Sequence, residues 1–221
     1  MNSSSAPGNP WFSWNYVVNS SDALVGAVTE HIFITVVAVI VASAIAIPLS
    51  LLAVRWTWLM TPLLISAGVL YTVPSLALIT GLWPVFGLSV TTVIVALTLY
   101  SLLVILRNTI VGLRSVPPEA LLAGRAMGYR EWQVLVRIAL PIATPAVIAG
   151  IKLAAVSTVG LVMVGALVGH GGLGSIVLNG FTNNFYRAPI VLGTLLTVAL
   201  ALFFEYGLTA AQRRLTPWAQ S

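Results

Sequence analysis

Between Arg55 and Arg107 the chain carries no charged side chain at all. An α-helix rises about 1.5 Å per residue and a bilayer's hydrocarbon core is about 30 Å thick, so one helix over this interval would exceed twice the membrane thickness. The interval must fold back on itself. Gly81, Pro84 and Gly87 mark the place, because glycine and proline interrupt helices. The remaining sequence fits the same environment. Of 221 residues, 59% are hydrophobic and only 7% are charged, with a mean hydropathy of +1.03. A soluble domain of this size carries roughly 25% charged residues.

Expected spans are Ile32 to Val54, Leu59 to Gly81, Leu88 to Leu106, Ala143 to Val168 and Pro189 to Leu208. The fold class is therefore an all-α polytopic membrane protein with about five crossings. Residues 1–28 form an extracytoplasmic amino-terminal segment, 29–212 the transmembrane domain, and 213–221 a cytoplasmic tail. Met1 to Asn19 lack the basic start of a cleavable signal. Lysine and arginine counts orient the chain. With the amino terminus outside, Arg55, Arg107, Arg114, Arg125, Arg130, Arg137, Arg213 and Arg214 face inward, and Arg187 faces outward. The net charge of +5 is thus a topology signal rather than a nucleic-acid footprint. Trp11, Trp14 and Trp83 fall near outer boundaries, and Trp56, Trp58 and Trp218 near inner ones, as in an aromatic belt.

Cysteine is absent, which excludes disulfides and thiolate metal sites. No span carries paired carboxylates, a His-Glu-x-x-His helix or a serine–histidine set at workable spacing, so an intramembrane enzyme is disfavoured. Gly169 to Ser175 reads GHGGLGS but lacks the lysine of a phosphate loop. It is expected to be a flexible outer turn, with His170 a solvated loop residue. His31 is expected at an interface or in helix packing. Lys152 either snorkels to the inner headgroups or pairs with Glu205 at comparable depth. Neither a metal nor a cofactor is expected. Pro48 and Pro74 are kinks or parts of a moving gate. Tyr71, Thr72, Pro74, Ser75, Tyr100 and Ser157 are candidates to line a path, with helix packing the alternative for each.

The region from Arg107 to Pro141 is a polar island, holding five arginines with Glu119 and Glu131. Val116-Pro117-Pro118-Glu119 suits a helix start, since proline is tolerated in the first turn and an acid there favours the dipole. Good helix formers follow to Met127, and Gly128 suits a sharp bend. Trp132, Leu135, Val136 and Leu140 then recur at helical spacing. By physics alone this could be an interfacial amphipathic helix.

Gly128, Ile138, Leu140 and Pro141 resemble the loop motif of ATP-binding cassette importer permeases, in which Glu-Ala-Ala opens the motif. Counting back from Pro141, that triplet is Leu122-Ala123-Gly124, so leucine stands where the family has its acid, and Glu119 lies three residues earlier. Tyr71 to Leu78, Leu99 to Thr109 and Ala166 to Gly174 are similar, in the same order, to motifs of the subfamily that imports glycine betaine, carnitine or choline. The resemblance implies a type I importer permease fold like that of the methionine importers. It also implies that Glu119, Leu122, Ala123, Gly124, Met127, Gly128, Trp132, Ile138, Leu140 and Pro141 dock a separate cytoplasmic ATPase. Further implied partners are a second permease copy or a sister permease, an extracytoplasmic substrate-binding protein and membrane lipid. On this reading the chain is a non-catalytic permease subunit for a small osmoprotectant such as glycine betaine, choline, carnitine or proline. A related importer for another small solute such as an amino acid is the alternative, and a membrane channel or scaffold stands behind it.

Overall fold

The computed structural model describes residues 9–219, so residues 1–8 of the expected amino-terminal segment and 220–221 of the expected tail lie outside the described residues. The described chain is helical. A short α1 (Trp14–Asn19) leads into α2 (Ser21–Arg55), followed by α3 (Thr57–Thr72), α4 (Ser75–Phe86) and α5 (Val90–Arg114). The island supplies α6 (Pro118–Ala126) and α7 (Glu131–Val134). A π-helical turn, Leu135–Ala139, joins α7 to α8 (Leu140–Val162), which tightens into a 3-10 turn over Met163–Val168. Then come α9 (Leu173–Thr182) and α10 (Arg187–Leu215).

Among the described residues four helical runs are long and apolar enough to cross a membrane: Ser21–Arg55, Val90–Arg114, Glu131–Val168 and Arg187–Leu215. The expected span Leu59 to Gly81 is not one straight helix. It is the pair α3 and α4, bent by 98° at Val73–Pro74, and counting that pair as one span gives five. Proline has no N–H and pushes the residue before it out of the α region, so the helix ends at Thr72. Of the three expected breakers only Gly87, at φ +69°, ends a helix; Gly81 and Pro84 lie inside α4, which carries the chain past the expected end at Gly81.

The first crossing starts earlier than Ile32. At 35 residues α2 is about 52 Å long, well beyond the hydrocarbon core. Hydropathy marks only the lipid-covered part. Its outer turns persist because Asp22 suits the helix start and because Leu24 and Ala27 pack with Leu173, Ile176 and Leu200 from α9 and α10.

The core sits where α2, α5 and α8 meet. α2 contributes Ala42, Ala46 and Ala53, all fully buried, against Ile105 and Leu106 of α5. Small residues let backbones approach closely where lipid offers no hydrophobic drive. At the α5–α8 crossing a Cβ on Gly150 would lie 2.7 Å from Asn108 Cβ. Ser101 and Thr158 hydroxyls, 2.9 Å apart, add a buried polar tie between the same two helices. By contrast α3 and α4 each bury a single residue, Ala67 and Ile79. The bent pair is the loosely seated part of the bundle.

Candidate functional site

The island folds as two short helices held at a fixed bend. Pro117 is extended and Pro118 opens α6 as the sequence suggests, with Glu119 in the first turn. Gly128 ends that helix at φ +83°, a left-handed conformation that costs glycine nothing and other residues about 1–2 kcal/mol. Backbone bonds from Gly128 N–H to Arg125 O (2.9 Å) and from Tyr129 N–H to Gly124 O (3.2 Å) close the turn. Arg125 then reaches across the bend to Glu131 in a two-pronged bridge, 2.7 Å and 3.1 Å. That bond to Glu131 raises the guanidinium's pKa further above its ordinary value. Gln133 Oε1 accepts the Arg130 N–H at 2.8 Å and starts α7.

Motif residues separate into two groups. Gly124 is buried, and a Cβ there would displace Ile138 Cδ1, the movable end of that side chain, where α6 lies on the π turn. Ile138 and Leu140 are half-buried. Glu119, Leu122, Ala123, Met127, Gly128, Trp132 and Pro141 are exposed, with Leu122 at 59% and Met127 at 65%. A loop that hides its small residue and shows its largest apolar ones leaves them uncovered among the described residues. Beneath it a cleft of about 210 Å³ is lined by Arg55, Arg125, Glu131, Leu113, Val134 and Leu135. Sequence reading did not assign Arg55 to the loop, because the two are distant in sequence.

The candidate path residues largely come together at the α3–α4 corner. Tyr71, Thr72 and Pro74 are exposed and Ser75 half-buried there. Tyr100 of α5 is buried, and its hydroxyl donates to Val73 O, a carbonyl left without a helical partner by the break. The Tyr71 and Tyr100 rings meet edge-on at 5.7 Å. Ser157 does not join them; it lies half-buried on α8, beside Thr158.

At the other end of the bundle the structure corrects two expectations. Gly169 to Ser175 is not a flexible turn. Gly171, Gly172 and Gly174 are buried, α9 begins at Leu173, and a Cβ on Gly172 would lie 2.7 Å from His31 Cβ. The glycines are there because three backbones converge. Nor is His170 a freely solvated residue: its Nδ1 lies 3.2 Å from Glu30 Oε1. His31 packs between helices, with Nε2 2.9 Å from Val159 O and Nδ1 accepting the Leu173 N–H at 3.3 Å. The second bond makes Nδ1 the acceptor, so Nε2 carries the proton it donates to Val159 O. Of the two readings of Lys152, the structure has the pair: Nζ is 2.9 Å from Glu205 Oε1 and 3.3 Å from Thr209 Oγ1.

Long apolar helices, a bent pair and a two-helix loop make up a fold shared with solved ATP-binding cassette transporters. The same fold is seen in the MetNI methionine ABC transporter (inward-facing native crystal form), with a TM-score of 0.79 at 22% identity over 90% of this chain and 98% of that one. It is seen again in an amino acid ABC transporter with histidines, at 0.74 and 16% over 91% and 98%.

The chain belongs to the family of binding-protein-dependent transport system inner membrane components, whose pattern matches residues 39–217. It is a multi-pass inner-membrane permease. Relatives include the osmoprotectant import permease protein OsmW of Salmonella typhimurium, 36% identical over 92% of this chain and 96% of that one. The carnitine transport permease protein OpuCB of Listeria monocytogenes is 38% identical over 86% and 87%. The glycine betaine/carnitine/choline transport system permease protein OpuCD of Bacillus subtilis is 36% identical over 85% and 82%.

Proposed function

We propose that this chain is the permease subunit of an ATP-driven importer for a small osmoprotectant of the betaine, carnitine, choline or proline type. The observation that carries the solute class is the 36–38% identity, over most of both chains, to permeases named for osmoprotectant, carnitine and glycine betaine/carnitine/choline transport. The loop carries the mechanism. Its exposed residues, Glu119, Leu122, Ala123, Met127 and Trp132, would dock a cytoplasmic ATPase, with Glu119 supplying the acid that Leu122 lacks. Residues 119 and 122 lie on one side of a helix, so the substitution moves the carboxylate by one turn.

ATP binding and hydrolysis belong to that partner, because this chain has no phosphate loop. Movement of the docked loop is passed along the continuous helical run of α7, the π turn and α8 into the membrane. The loosely seated α3–α4 pair supports a second permease, the same or a sister chain, lying against it. Solute would pass near Tyr71, Thr72, Pro74 and Ser75. An extracytoplasmic binding protein would select it, and no aromatic cage at membrane depth competes for that role. Residues 1–28 and 213–221 flank the 29–212 transport domain on opposite sides of the membrane.

The test is reconstitution. The chain should co-purify with an ATPase, and proteoliposomes holding both should take up radiolabelled betaine, choline or carnitine only with ATP and the binding protein. Uptake without an ATPase would overturn the reading. Micromolar calorimetric binding of solute by the permease alone would show that selection resides here instead.

A further inference from the structure

The α3–α4 corner holds a tether that the transport reading leaves unused. At a helix break the last carbonyls lose their donors, and at membrane depth no water replaces them. Here Val69 O takes the Thr72 hydroxyl at 2.7 Å and Leu70 O takes the Val73 N–H at 3.3 Å. Pro74 O receives the Leu78 N–H at 2.9 Å, the first helical bond of α4. Val73 O is satisfied from another helix altogether, by the Tyr100 hydroxyl of α5.

Burial makes that one bond matter. α3 seats on the core through Ala67 and the half-buried Met60, Leu63 and Leu64, whereas α4 buries only Ile79, so few apolar contacts hold α4 at the 98° angle. Tyr100 is itself fixed, being 6% exposed on the best-buried helix of the bundle. The next residue, Ser101, is tied to Thr158 of α8. That helix runs without a gap back to Glu131 at the loop.

We propose that Tyr100 is a positioning residue, a latch whose hydroxyl holds the α3–α4 corner and thereby sets where Tyr71 and the first turn of α4 stand. The inference rests on the transport reading for its use, but the latch itself is a property of this chain. It sets Tyr100 apart from the path: its ring packs edge-on with Tyr71, and its oxygen, not its π face, does the work. Removing the hydroxyl leaves Val73 O unpaired and the corner free to reorient, so the angle no longer follows movement of α5 and α8.

Tyr100→Phe tests this, since it keeps the ring and removes only the donor. The native chain has no cysteine, so Leu76→Cys, at an exposed position in the first turn of α4, reports the corner by its rate of thiol labelling in the assembled importer. Adding Tyr100→Phe should change that rate by about fivefold, the population shift that one net hydrogen bond supports. Solute moved per ATP hydrolysed should fall by a similar factor. Ser101→Ala, which loosens α5 from α8 but leaves the latch, should alter labelling less. Equal labelling with and without Tyr100→Phe would overturn the proposal. So would an equal effect of Ser101→Ala, or failure of Tyr100→Phe to accumulate in membranes, because both indicate general packing. If the unsubstituted importer took up no solute, the transport reading would fall while the labelling still decided the latch.

Discussion

Gly128 gives the sharpest single-residue prediction for the loop. It sits at φ +83°, and a Cβ added there would meet no atom within 4 Å. Steric clash is therefore removed from the problem, and only backbone strain remains. Asparagine tolerates the left-handed region and should cost a few tenths of a kcal/mol; alanine should cost about 1 kcal/mol. Valine, branched at Cβ, should cost about 2 kcal/mol. Through a conformational equilibrium, 2 kcal/mol lowers the population of the native bend by at most about 30-fold. If α6 and α7 must be held at this bend to dock, the apparent affinity for the ATPase should fall in the order Gly, Asn, Ala, Val. Membrane insertion should be intact, because the residue is exposed and an added side chain meets no neighbour. The assay is a pull-down titration of ATPase on purified permease variants, with membrane yield measured alongside. A valine variant within twofold of the parent would refute the reasoning. An asparagine variant as weak as valine would refute it equally, by showing that the lost glycine matters for some reason other than φ.

Lys152 and Glu205 form an ion pair at membrane depth, so Lys152→Met should destabilise the fold by about 1–3 kcal/mol by leaving a carboxylate uncompensated. The double variant Lys152→Met with Glu205→Gln should recover most of that in a thermal-unfolding cycle in nanodiscs. Gly172→Ala should abolish accumulation of folded protein, since its φ is +51° and its Cβ would press on the His31 backbone; Gly26→Ala, with open space around it, should accumulate normally on immunoblots of membranes. A cysteine replacing Ser115, exposed at the end of α5, should react with an impermeant thiol reagent in inverted vesicles and not in intact cells. Reaction in intact cells would reverse the orientation.

The loop was the most legible part of the sequence. Pro117, Pro118 and Glu119 announced α6, and Gly128 announced its end, because proline and glycine act through their own backbone geometry and need no neighbour. The glycine-rich stretch after α8 was misread for the complementary reason. Gly171 and Gly172 are glycine because the Ala166 and His31 backbones lie against them, and His31, on α2, is far away in sequence. The likeness between this stretch and a loose turn is compositional only. The pairing of Lys152 with Glu205 is legible in the sequence, since charges at membrane depth seek opposite charges, whereas nothing there marks Glu30 as the partner of His170.

Hydropathy by itself determined that this chain lives in a membrane and where its long apolar segments fall. Those properties are sums along the chain, and the bilayer reads them one segment at a time. The 98° corner, the burial of the α9 start and the approach of Arg55 to the loop were decided only by the tertiary structure. Each depends on which helix supplies a donor, a surface or a charge to another. Pro48, Pro62, Pro84 and Pro145 lie inside helices, so a proline alone does not set a break; at Pro74 the break goes with Tyr100, on a different helix, taking the carbonyl that it sets free.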